Sequence, residues 1–138
     1  MHIKTRRWND PIEPDDGFRV LVCRYRPRGV SKADETWDAW SPHLGPSPAL
    51  HADYWGKRGK PIAWSEYRSR YLAEMRGESK SVHELAQRVR AGETITLLCS
   101  SACLDPEHCH RTLLQGLIER DATRSRARAP AERSHSAR

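Results

Sequence analysis

The chain has 138 residues, of which 37% are apolar and 30% are charged, and its formal net charge is +6. This length suits one domain with a single core and is too short for two. Five tryptophans and four tyrosines offer large areas for burial, which favours a folded domain over a disordered chain. No stretch approaches the ~20 consecutive apolar residues of a membrane-spanning helix, so no membrane partner is expected.

The carboxyl end carries much of the basic character. Residues 121–138 hold five arginines against two acidic side chains, which is half of the net charge. We therefore predict a folded domain over residues 1–120 and a basic, disordered tail over residues 121–138. Such a tail can bind polyanions weakly and without sequence preference, by releasing their counterions.

The amino-terminal residues lack the apolar stretch of a signal peptide, so we expect a cytoplasmic protein. In that compartment disulfides are rare. The four cysteines are therefore expected as thiols, thiolates or metal ligands. They are Cys23, Cys99, Cys103 and Cys109.

Short apolar runs predict the strands. Residues 18–23 and 94–99 are rich in β-branched and aliphatic side chains and follow turn-forming residues, and residues 3–7 are expected to add an edge strand. Between the two apolar runs, residues 37–64 are rich in aromatic residues and prolines. We expect irregular structure with short helical turns there.

Three helices are predicted in the second half of the chain. Apolar residues recur at helical spacing from Ser65, and Gly77 is placed to end that helix. Ser81 and Glu84 have the spacing of a capping box, which predicts the start of a second helix. Asp105 is the predicted N-cap of the last helix, with Pro106 at its first position and His110 on its inward side. Together these elements predict an α/β fold, with a small, mainly parallel sheet, helices on both faces and a single domain.

The loops after the two apolar strands carry the cations, and in open α/β sheets such loops meet at the carboxyl edge, where ligands bind. Arg24 and Arg28 follow the first strand, and Arg111 lies near the start of the last helix. Arginines and a helix N-terminus both favour an anion. A small anionic ligand of the phosphate, carboxylate or nucleotide kind is therefore the expected partner, and Trp37 or Trp55 can stack on a flat part of it.

Cys109 is the expected nucleophile, because a helix N-terminus and neighbouring Arg and His side chains stabilise a thiolate. His110 is the expected group for proton transfer or orientation. The alternative is that these cysteines are small buried hydrophobic residues and His110 is a core histidine with one hydrogen bond.

The same segment allows a zinc site, since thiolate and imidazole groups are the usual zinc ligands. It lacks the tight C-x2-C or H-x3-H pairs of most structural zinc sites. The candidate ligands are Cys99, Cys103 and Cys109, completed by His108, His110 or Cys23.

Over residues 3–120 the chain resembles the YeaO-like family of small bacterial proteins, the domain of unknown function numbered 488. The resemblance is carried by residues 16–22, by Arg24 with the segment PRGVSK at residues 27–32, and by residues 67–74 and 96–98 before His110. It implies a compact α/β domain and names no substrate. It also implies that Arg24, Arg28, Lys32 and His110 are the matching polar positions. Taken with the loops at the strand ends, the expected ligand-binding set is Arg24, Arg28, Lys32 and Arg111.

Two classes of function follow. The first is an enzyme or sensor that binds the anionic ligand at the strand ends, with His110 and Cys109 as its reactive groups. The second is a nucleic-acid-associated or regulatory protein without enzymatic activity, or a zinc-stabilised structural domain. No helix-turn-helix or other element that reads nucleic acid is evident in the sequence.

Overall fold

A computed structural model describes residues 2–136, with side chains described as far as residue 124. Four strands are found in this part of the chain: β1 (Ile3–Arg7), β2 (Phe18–Leu21), β3 (Ala39–Trp40) and β4 (Ile95–Cys99). They form one sheet in the order β1-β4-β2-β3, and every neighbouring pair is parallel. The predicted parallel sheet of a single α/β domain is confirmed, including the edge strand at residues 3–7.

The central strand explains why the sheet forms. All five residues of β4 are buried, as expected for a strand covered on both faces. Its Ile95 lies opposite Ile3 of β1 and Phe18 of β2, so the apolar positions of three strands are in register. The sequence analysis did not predict β3, because two residues are too short for any periodic signal.

Four α-helices are found in the described residues, three of them before β4 and one after it: α1 (Pro48–Tyr54), α2 (Trp64–Met75), α3 (Ser79–Arg90) and α4 (His110–Ser136). The prediction that Ser81 caps a helix is wrong. A 3-10 turn at Arg76–Glu78 continues from α2, so α3 begins at Ser79 with Glu78 as its N-cap residue. Ser81 lies inside α3, where its hydroxyl hydrogen-bonds the ring of His43 at 2.9 Å.

The last helix starts later than predicted. Asp105 caps a 3-10 turn at Pro106–His108, accepting a hydrogen bond from the Glu107 amide at 3.0 Å, and Cys109 is extended before α4 begins. The core also reaches beyond residue 120, since Ala122 on α4 is fully buried. The predicted tail lies mainly where side chains are not described, so its binding of polyanions stays a prediction.

The two faces of the sheet are covered differently. Helical residues such as Tyr71, Ala86 and Leu114 join Val20 and Ile95 in the larger core. A smaller core contains Leu21 and Leu98 from the strands, and it is closed by Trp8, Val30 and Trp37 from connecting segments. Connecting segments therefore pack against the strand residues of this smaller core. In the described region, no helix has the length and apolarity that crossing a bilayer requires.

A buried ion pair marks the amino end of the sheet. Asp16, which is 2% exposed, accepts hydrogen bonds from Arg19 and from Lys4, the latter at 2.5 Å. The next residue, Gly17, has a φ of 63°, and a Cβ there would meet the Thr94 carbonyl oxygen at 2.1 Å. Only glycine fits this turn into β2.

Candidate functional site

A cavity of about 610 Å³ lies at the carboxyl edge of the sheet. Its floor includes Cys23 after β2 and Cys99 at the end of β4. One wall is the loop from Ser100 to Asp105, and the opposite wall is built from aromatic residues of α1, α2 and the segment between them. The ligand site that the sequence predicted at this edge therefore coincides with a cavity of the size that small-molecule sites have.

Three of the cysteines meet at the base of this cavity. The Sγ atoms of Cys99 and Cys103 are 3.1 Å apart, and those of Cys99 and Cys109 are 3.4 Å apart. All three sulfurs lie within 4.8 Å of one another, and no disulfide joins them. The end of β4, the following loop and the residue before α4 each supply one member of this three-cysteine cluster, in which Cys103 alone is partly exposed.

The hydrogen bonds of the cluster converge on Cys103. Its Sγ accepts from the Cys99 thiol at 3.1 Å and from the Ser100 hydroxyl at 3.7 Å, while the Cys109 thiol donates to Cys99. Hydrogen bonding within the cluster, with Cys109 and with Cys99, lowers the pKa of Cys103, against the effect of its burial. Hydrogen bonding with Cys103 is the largest cause of the raised pKa values of Cys99 and Cys109, and burial of both thiols acts in the same direction. The arrangement favours one thiolate, at Cys103.

His110 lies beside this cluster at the start of α4 and is 5% exposed. One ring nitrogen, Nε2, is 2.8 Å from the Val22 carbonyl oxygen, and the other, Nδ1, is 3.9 Å from Cys99 Sγ. Burial lowers the pKa of His110, so the ring is neutral at pH 7. A neutral ring that donates from Nε2 has an unprotonated Nδ1, which faces the thiol of Cys99.

The predicted cations do not gather around the cavity. Arg24 lines it, with its guanidinium donating to the carbonyls of Pro46 at 2.9 Å and Gly45 at 3.5 Å. Arg28 and Lys32 are exposed and are not part of the lining. Arg111 is buried, and its Nη2 donates to the Cys103 carbonyl at 3.4 Å, while its Nε and Nη1 have no hydrogen-bond partner among the residues whose side chains are described. Arg111 therefore supports the loop that carries Cys103.

The aromatic wall contains residues that the sequence analysis did not single out as a group. The ring centroids of Tyr54 and Trp64 are 6.1 Å apart, and those of Trp64 and Tyr67, which stack, are 5.3 Å apart. The ring centroid of His108 lies 5.1 Å from that of Trp64. His108 also pairs with Asp105 at 2.9 Å. Of the two predicted stacking residues, Trp55 lines the cavity and is 47% exposed, whereas Trp37 is buried in the smaller core.

The three-cysteine cluster also has the composition of a metal site. Thiolate sulfur is a preferred ligand of Zn²⁺, and three sulfurs this close can bind one ion with Zn–S distances near ~2.3 Å. The imidazole Nδ1 of His110, which lies 3.9 Å from Cys99 Sγ, is a candidate nitrogen ligand. His108, the other candidate, is turned toward Trp64 and Asp105.

Comparisons with known proteins give a family. The model described as the active DUF488-N3 subclade matches residues 3–122. The uncharacterised protein YeaO of Escherichia coli (strain K12) is 32% identical over 108 residues, which is 78% of this chain and 90% of YeaO. The uncharacterised proteins Mb3100c of Mycobacterium bovis and Rv3073c of Mycobacterium tuberculosis are each 35% identical over 83 residues, 60% of this chain and 67% of their own length. No solved structure matches significantly.

Proposed function

The chain belongs to the active DUF488-N3 subclade, and we propose that it binds a small organic ligand in the carboxyl-edge cavity and attacks it with the Cys103 thiolate. The observation that carries this proposal is the direction of the hydrogen bonds in the three-cysteine cluster, which converge on the one thiol that is partly exposed. A thiolate is the nucleophilic form of cysteine, and the cavity gives a ligand access to it.

In this proposal Cys103 takes the role that the sequence analysis assigned to Cys109. Cys109 is 2% exposed and its pKa is raised, which suits a hydrogen-bond donor to a neighbouring sulfur. His110 serves as the proton acceptor for Cys99. Arg24 is the lining cation that supports an anionic group on the ligand, while Arg28 and Lys32 are given no contact with it.

The test is timed alkylation of the full chain at neutral pH with iodoacetamide, followed by peptide mapping. Cys103 is expected to react about tenfold or more faster than an ordinary thiol, because an ordinary thiol with a pKa near ~8.5 is only a few per cent ionised. Cys99→Ala removes the thiol that donates to Cys103, and Cys109→Ala removes the thiol that donates to Cys99. Both substitutions are expected to slow the reaction at Cys103. Uniformly slow reaction at all four cysteines would overturn the proposal.

A second candidate function is a zinc-stabilised domain, and the observation that favours it is the mutual distance of the three sulfurs, all within 4.8 Å. In that case Cys99, Cys103 and Cys109 hold the ion and His110 Nδ1 is its nearest nitrogen ligand. Zinc analysis of the purified protein tests this. About one equivalent of zinc, with a loss of stability on chelation and thiols protected from alkylation, would favour the metal over the free thiolate.

A further inference from the structure

The thiol of Cys99 lies next to that of Cys103, although a nucleophile that only transfers a group needs no second thiol beside it. Its sulfur is 3.1 Å away, so a disulfide bond of ~2.05 Å needs an approach of only about 1 Å. A second thiol in that position reacts with any electrophilic sulfur formed at Cys103. The pair is therefore suited to a reaction in which Cys103 itself is oxidised.

We propose that this cavity reduces organic hydroperoxides, with Cys103 as the sulfur that attacks the peroxide and Cys99 as the sulfur that closes a disulfide. The inference rests on the proposed function, because it needs an accessible, reactive Cys103, and it names the substrate class for that site. An external dithiol then reduces the Cys99–Cys103 disulfide and returns both cysteines to thiols.

The reaction balances in two steps. Cys103 thiolate attacks the terminal oxygen of ROOH, the O–O bond breaks, and an S–O bond forms to give a sulfenic acid, while RO⁻ takes a proton from solvent to leave as the alcohol. The Cys99 thiol then gives its proton to His110 Nδ1 and attacks the Cys103 sulfur. The S–O bond breaks, the S–S bond forms, and the departing hydroxide takes the proton from His110 to leave as water. Sulfur loses two electrons and the peroxide gains them.

His110 is the positioning residue for the second step. Its Nε2 is committed to the Val22 carbonyl at 2.8 Å, so Nδ1 is the nitrogen that can accept a proton, and it lies 3.9 Å from Cys99 Sγ. Cys99 needs such an acceptor, because a thiol attacks another sulfur as the thiolate and must first lose its proton.

The lining of the cavity favours a peroxide with an apolar body. Hydrogen peroxide needs little space, whereas the cavity measures about 610 Å³. Tyr54, Trp64 and Tyr67 form an aromatic wall that gains contact area with an apolar group. Cumene hydroperoxide, which joins an aromatic ring to the reactive group, is therefore the chosen probe, and hydrogen peroxide is its comparison.

The experiment uses the reduced, chelator-treated full chain at low concentration with one equivalent of either peroxide, read by intact mass and peptide mapping. We expect loss of two hydrogen masses, a Cys99–Cys103 disulfide, recovery with dithiothreitol, and oxidation by cumene hydroperoxide about tenfold faster than by hydrogen peroxide. Cys99→Ser should instead accumulate a sulfenic acid that dimedone labels on Cys103. Arg28→Ala, which changes an exposed residue outside the cavity, should form the disulfide normally.

The outcomes separate this inference from the proposed function. Rapid alkylation of Cys103 without a peroxide-induced disulfide would overturn the peroxide inference and leave the nucleophile in place. Slow alkylation together with slow oxidation would overturn both. Equal rates with the two peroxides would overturn the assignment of an organic substrate, and a disulfide to Cys109 in the unchanged protein would overturn the role of Cys99.

Discussion

The ring of His110 is held by the carbonyl of Val22, whose oxygen lies 2.8 Å from Nε2. A carbonyl only accepts, so this contact places the proton of the neutral ring on Nε2 and leaves Nδ1 free to accept. The first residue of α4 is thus joined to the residue that follows β2. The same bond that anchors the helix also sets which nitrogen faces the cysteines.

His110 makes stability depend on pH. Because burial lowers its pKa in the folded state, the unfolded chain takes up the proton first as the pH falls through about 6.5. Stability from the neutral ring is therefore complete above that pH and is lost progressively below it. Urea unfolding of the wild type and His110→Gln at pH 8 and pH 5.5 is expected to show a larger loss for the wild type. An equal loss in both proteins would contradict the buried, neutral ring.

The ion pair at the amino end of the sheet is expected to be important for stability. Asp16→Asn should cost roughly 3–5 kcal/mol at pH 7, because it leaves the buried Arg19 without its carboxylate. Asp15→Asn is the matched control, since Asp15 is 82% exposed and its loss should cost far less than that of Asp16. Chemical denaturation measures both.

The ion pair of Asp16 also makes stability depend on pH, but here hydrogen bonds to the charged form lower the pKa, whereas burial lowers that of His110. Burial would raise the pKa of Asp16, but hydrogen bonds from Lys4 and the Glu13 amide lower it below the ordinary value. Its contribution is therefore present above pH ~4 and lost as the pH falls through the folded pKa. The difference between wild type and Asp16→Asn should shrink on acidification, and a difference that grows would refute this account.

Gly45 links the fold to the cavity. A Cβ at this position would meet the backbone nitrogen of Arg24 at 2.4 Å, so Gly45→Ala must displace the segment after β2 and is expected to cost about 1–3 kcal/mol. Gly77→Ala is the control, because nothing lies within 4 Å of the added methyl. Thermal unfolding compares the two, and similar melting temperatures would show that the Arg24 segment yields easily.

The strong signals in the sequence were sufficient for the sheet and for the two strand ends that border the cavity. Residues 18–23 and 94–99 are nearly continuous apolar runs, and they form the two buried strands whose ends border the cavity. Cys99, Cys103 and Cys109 were recognised as neighbours from their spacing alone. These predictions succeeded because they depend on local composition.

The relationships across the fold could not be predicted from the sequence. Whether Cys103 or Cys109 is the exposed thiol depends on how the loop turns between β4 and α4, which spacing does not determine. The same is true of Arg28 and Lys32, which the sequence analysis placed in the ligand-binding set but which are exposed outside the cavity. The aromatic wall was missed as a unit because α1 and α2 bring Tyr54 and Trp64 together from different elements.

The most direct test of the central claim is the pH profile of alkylation at Cys103. If the hydrogen bonds of the three-cysteine cluster hold a thiolate there, its alkylation rate stays level from pH 8 to pH 5.5, because the lowered pKa keeps the group ionised throughout. A denatured sample provides the control, and its rate should fall by about tenfold per pH unit below pH ~8.5. A Cys103 rate in the folded protein that falls in parallel with the denatured control would contradict the account.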